Sequence, residues 1–167
     1  MLRLFEMLDE ELARTDTHAE LYLVGGAVMC LALHARDATR DVDAWFQPAE
    51  RVREAAARVA ARAAVPAGWL NDAVKGWLGT RGTFDPYWER PNLQVFVAHP
   101  EYLLAMKCMA MRLGEEFRDL DDVRYLLRYL NVTHAADALA IVARYFEAER
   151  IPAKTRFALE ELMTESR

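Results

Sequence analysis

Two cysteines, seven glycines and six prolines are all that this 167-residue chain holds of the residues that staple or punctuate a fold. Cys30 and Cys108 stand alone, without a C-x-x-C or any paired spacing. That excludes a disulfide framework and a thiolate zinc site, and a reducing cytoplasm is the compartment expected. Gly and Pro fall together below the ~12% of average usage, which argues for helices over a many-turned all-β fold. Positive charge is not in excess: 21 basic against 26 acidic side chains leave −5, so contact with nucleic acid would need a local patch. The longest apolar run, Leu21 to Leu33, is interrupted by Gly25 and Gly26. It falls short of the ~20 residues that cross a bilayer, so no membrane segment is expected. Met1 to Leu12 carries Glu6, Asp9, Glu10 and Glu11, which is wrong for a signal or transit peptide. His18, His34, His99 and His134 are scattered without zinc-ligand spacing, and no G-x-S-x-G hydrolase signature occurs.

What is present is 53% hydrophobic and 28% charged, the balance of a globular chain able to bury a sizeable core. Leu2, Phe5, Leu8 and Leu12 share one face of a helix over 2–15. Glu20 to Val24 reads as a strand, Gly25-Gly26 as a tight turn and Ala27 to His34 as a helix. A second strand, Asp41 to Gln47, is closed by Pro48 and followed by an alanine-rich helix over Glu50 to Ala64. Trp69 to Leu78 has helical spacing, residues 79–92 read as a loop because of their glycines and prolines, and Leu93 to Ala98 is a third strand. Helices are expected over 101–113, 118–130, 134–149 and 152–165. The fold class is therefore α+β: a strand-and-helix core over 1–100 and a helical part over 101–167 packed on it.

Five features carry chemistry. Side chains alternate along a strand, so Asp41 and Asp43 project to one side, about 6.6–6.8 Å apart along the chain. Two carboxylates placed so converge on one divalent cation, or else line an edge strand and face water. The Gly25-Gly26 turn lets backbone N–H groups approach a phosphate, though it matches neither a P-loop nor a dinucleotide-binding fingerprint. Lys107 falls on the apolar stripe of its helix, between Leu103 and Met111, where an ammonium either snorkels outward or faces a buried anion such as a triphosphate. Asp119 falls in the apolar arc of Leu120, Val123, Leu126, Leu127 and Leu130, with Asp122 at its edge; it either caps its helix or joins a site. Arg51, Arg58 and Arg62 form one basic line on the alanine-rich helix, either a solvated face or the best local source of phosphate contacts for RNA.

Leu23-Val-Gly-Gly-Ala27 followed by Arg36-Asp-Ala-Thr39-Arg-Asp41-Val-Asp43 resembles the first motif of the nucleotidyltransferase superfamily. Leu104-Ala-Met-Lys107-Cys-Met-Ala110 and Arg118-Asp119-Leu-Asp121-Asp122-Val-Arg-Tyr-Leu126 are similar to the lysine and aspartate motifs of its AbiEii-type branch, which includes toxins of abortive-infection systems. Trp69-Leu-Asn-Asp-Ala-Val-Lys-Gly76 also resembles a segment of uncharacterised relatives. The resemblance implies a small mixed sheet of the polymerase-β-like fold flanked by helices, and Mg²⁺- or Mn²⁺-dependent transfer of an NMP group from an NTP to a hydroxyl. Asp41 and Asp43 would be metal ligands, and Asp41, Asp43, Lys107 and Asp119 the catalytic set. Gly25, Gly26, Thr39, Arg40, Lys107 and Asp122 would bind the nucleotide. The acceptor would be RNA such as a tRNA end, a protein or a small molecule, and an antitoxin-like partner is implied. Many members carry a third acid on a later strand, whereas Leu93 to Ala98 offers only Gln94 as a polar side chain. A catalytically impaired nucleotide-binding or interaction protein is the alternative.

Overall fold

The computed structural model describes residues 1–35, 37–39, 41–74, 78, 81–112 and 119–165. The chain divides into two units, Met1–Gly76 with Phe84–Ala98, and Trp77–Thr83 with His99–Arg167.

The first unit is built on a five-stranded mixed sheet. Helix α1 (Leu2–Ala13) leads to β1 (Ala19–Leu23), α2 (Gly25–Leu31), β2 (Val42–Gln47), α3 (Ala49–Ala63), β3 (Leu70–Asn71), β4 (Phe84–Arg90) and β5 (Leu93–Ala98). The strand order is β3-β2-β1-β5-β4. β1 is antiparallel to β2 and parallel to β5, β3 is parallel to β2, and β4 and β5 form an antiparallel hairpin. The period of two decides which side is core: Leu21, Leu23, Val42, Ala44, Phe46, Leu93, Val95 and Val97 are buried. They meet Phe5, Leu8 and Leu12 of α1 and Val52, Ala55 and Val59 of α3, all fully buried, which at about 25 cal/mol per Å² makes this layer the main source of the unit's stability. The alternate side chains Tyr22, Trp45 and Phe96 are half-buried; Tyr22 is central, stacked on Phe96, tilted against Trp45 and edge-on to Phe84, with ring centroids 4.8–5.1 Å apart. Burial and the nearby Glu20 carboxylate, which accepts the phenol proton at 2.9 Å, raise the Tyr22 pKa.

Two expectations are overturned here. Leu70–Asn71 is a strand, not part of a helix: the Trp69 Nε1–H donates to the Ala56 carbonyl (3.0 Å) and the Val42 N–H to the Trp69 carbonyl (2.7 Å), so pairing with β2 outweighs a helical spacing. Residues 75–77 of that segment lie outside the described residues. The expected loop over 79–92 contains β4, whose Pro86 is tolerated because the strand lies at the sheet edge and its register breaks between Pro86 and Trp88. Helix α2 also starts earlier than its sequence suggests, at Gly25.

The second unit holds α4 (Pro100–Ala110), α5 (Asp119–Tyr129), α6 (Ala135–Tyr145) and α7 (Ala153–Glu165), with a 3₁₀ turn at Ala148–Arg150. α4 packs against α5 and α6, and α6 against α7. Tyr102, Leu103 and Leu104 of α4 are fully buried, and a Cβ at Gly82 would come within 2.7 Å of the Tyr102 ring, so glycine is required there. The Thr155 hydroxyl donates to the Cys108 carbonyl at 2.7 Å and ties α7 to α4. The described helices include none long and apolar enough to cross a membrane.

Candidate functional site

The sheet brings the motif residues of the first unit together at one end of β2. Val24 is extended and its N–H donates to the Asp43 carbonyl at 3.0 Å, so the turn after β1 is pinned to the strand that carries the acids. Asp43 is half-buried on β2, and Asp41 is exposed in the bend just before it. Gly25 has φ +61°, and a Cβ built there would stand 3.0 Å from Asp43 Oδ2. Any side chain at residue 25 would therefore be strained and would also displace the carboxylate. Gly26 follows as the second residue of α2, and Thr39 is half-buried in the approach to β2. Arg40, expected at the nucleotide, lies outside the described residues.

Sequence reasoning missed one member of this group. β2 has two neighbours, and the one not expected is β3, whose register sets Asn71 beside Asp43. The Asn71 Nδ2 donates to Asp41 Oδ2 at 3.4 Å, and its Oδ1 accepts from the Ala73 N–H at 3.3 Å. An acid-free strand of two residues inside a helix-like pattern gives no period to detect; the only hint was the amide itself, adjacent to Asp72. Gln94, the polar residue of β5, is exposed and donates to Glu89 at 2.9 Å. Two carboxylates are hard oxygen donors that suit Mg²⁺ or Mn²⁺ over a soft metal. Among the described residues no three His, Cys, Asp or Glu side chains converge.

No protein-family model, curated protein or solved structure matches the chain.

The second unit has its own charged cluster. Lys107 of α4, its side chain only 14% exposed, lies 2.7 Å from Asp122 Oδ2 and 3.5 Å from Asp119 Oδ1 on α5. The inward lysine thus neither snorkels nor waits for an outside anion; the chain supplies the carboxylates. Asp119 Oδ2 accepts the Arg112 Nε–H (2.9 Å) and the Arg112 backbone N–H (3.1 Å), so the acid holds Arg112, just after α4. Burial alone would raise the Asp119 pKa, but the two Arg112 hydrogen bonds and the Lys107 and Arg112 charges outweigh it and hold the carboxyl below its ordinary 3.8.

Two of the three arginines of the basic line on α3 pair with α1, and the third pairs within α3. Arg58 Nε donates to Glu11 Oε2 at 2.9 Å, Arg62 pairs with both Glu11 and Glu10, and Arg51 pairs with Glu54. Glu11 is fully buried. Desolvation pushes its pKa up, yet the hydrogen bonds from Arg62 and Arg58, with the Arg14 charge, hold it below 4.5. Arg58 and Arg62 thus stitch α3 to α1 through carboxylates of the chain itself.

Proposed function

We propose that this chain is a Mg²⁺- or Mn²⁺-dependent nucleotidyltransferase that moves an NMP group from an NTP to a hydroxyl acceptor. The observation that carries the reading is the placement of Gly25, the first residue of α2 at φ +61°, with its Cβ position 3.0 Å from Asp43 Oδ2, Gly26 next to it and Asp41 in the bend just before β2. Asp41 and Asp43 would hold the cation, which when bound would neutralise phosphate charge in the transition state. The two glycines that open α2 would admit the phosphates to close backbone approach, and Thr39 would border them. The chain's share of catalysis is then binding, alignment of the phosphate with the attacking hydroxyl, and fixed electrostatics. Lys107, Asp119 and Asp122 are left out of this reading, because the ammonium's anion is already within the protein.

A second reading is favoured by one observation: the strand residue beside Asp43 is the neutral Asn71. A binding protein that holds the nucleotide without transferring it would tolerate this. Incubation with each labelled NTP, Mg²⁺ and total RNA or a candidate protein acceptor separates the two. Transfer that disappears in both Asp41→Asn and Asp43→Asn, with melting temperatures kept, supports the enzyme. Nucleotide-induced stabilisation without transfer supports the binding protein, and neither outcome in the parent refutes both. A toxin or abortive-infection role, with an antitoxin-like partner, would follow only from an acceptor found in this way.

A further inference from the structure

Asn71 belongs to a strand of two residues, yet contacts outside the site fix that strand firmly. The Trp69 indole reaches back to α3, the Trp69 carbonyl takes the Val42 N–H, and Asp72 on the other side of Asn71 pairs with Arg53 of α3. The amide of Asn71 has one orientation compatible with its neighbours. Turned over, it would set its NH₂ against the Ala73 N–H and its oxygen against the Asp41 carboxylate, a donor facing a donor and an acceptor facing an acceptor.

We propose that Asn71 is a positioning residue that selects for small divalent cations: its amide donates to Oδ2 of Asp41 at 3.4 Å, which biases that carboxylate towards ligation through Oδ1 alone. The inference rests on the cation-site reading above. Mg²⁺ demands near-ideal octahedral geometry, is bound by one or two carboxylates and keeps several waters. Ca²⁺ accepts six to eight oxygens and readily takes a carboxylate through both of them. A carboxylate biased towards one-oxygen ligation by a fixed amide therefore disfavours the larger ion. Groups that orient metal ligands in this way are typically worth about 10- to 100-fold in metal affinity.

The test is calorimetric titration of the full chain with Mg²⁺, Mn²⁺ and Ca²⁺ as chlorides, for the parent, Asn71→Leu, Asn71→Asp and Asp43→Asn. Asn71→Leu is expected to weaken Mg²⁺ about tenfold while Ca²⁺ falls less or rises, so that the Mg²⁺-to-Ca²⁺ preference drops. A loss of order alone would lower all three ions together. Asn71→Asp, which keeps size and cannot donate while its carboxylate is ionised, is expected to tighten both ions and reduce the preference; it serves if the leucine variant does not fold. An unchanged preference in both variants, with binding still abolished in Asp43→Asn, overturns the role of Asn71 and leaves the cation site standing. Absence of divalent-cation binding in the parent overturns both.

Discussion

Replacing Lys107 by methionine tests whether the ammonium holds the second unit together or is a charge that its helix carries at a cost. Methionine keeps the length and apolar contacts of the stem, so the perturbation is chiefly electrostatic. From the apolar stripe alone, the change should leave stability equal or raise it. The structure reverses that sign. Lys107 is the cation 2.7 Å from an Asp122 side chain only 3% exposed, and it also faces Asp119, whose side chain is 9% exposed. Removing one partner of a buried ion pair costs about 3–5 kcal/mol. The lower end applies, because Arg112 still holds Asp119. A loss of about 3 kcal/mol in a chain of this size lowers Tm by roughly 6–12 °C, readable by differential scanning fluorimetry or calorimetry. The double variant Lys107→Met/Asp122→Asn should recover much of that loss, since the carboxylate that needed the cation is gone. A single variant that melts within about 2 °C of the parent would refute the argument.

Gly25→Ala should cost about 1–2 kcal/mol, because alanine at φ +61° is strained, and should weaken divalent-cation binding because its Cβ meets Asp43 Oδ2; calorimetry with Mn²⁺ reads the second effect, and unchanged binding would remove Gly25 from the site. Acid should unfold the protein partly through Glu11 and Asp119. Their folded-state pKa values lie below 4.5 and 3.8, so the stability they contribute is present above those values and is lost as pH falls through the lower folded-state ones. In Glu11→Gln the urea midpoint should already be reduced at pH 7 and should change less than the parent's as pH falls from about 5 to 3; parallel curves would show that Glu11 is not held below its ordinary value.

The local chemistry of the chain was decided by the sequence alone. Of the expected face Leu2, Phe5, Leu8 and Leu12, the last three are the buried stripe of α1 while Leu2 at its start stays exposed, and the alternating strands β1, β2 and β5 were legible from their apolar runs, because periods of 3.6 and 2 survive without any partner. Asp43 and the glycines after β1 could likewise be paired from their order in the sequence, since neighbouring elements usually meet in space, although Asp41 falls in the bend before β2 and the glycines open α2 instead of forming a separate turn. Partners were the part that only tertiary structure decided. β3 and β4 are strands because β2 and β5 offer them edges, and neither a two-residue segment nor one broken by Pro86 announces this beforehand. Lys107, Arg58 and Arg62 each looked like a charge awaiting a ligand, and each was answered by a carboxylate of the chain itself, two of them from 47 and 51 residues away in sequence. A helical wheel gives the direction in which a charge points, but the stability of an inward charge depends on what the fold brings to meet it, and that is a property of long-range contacts.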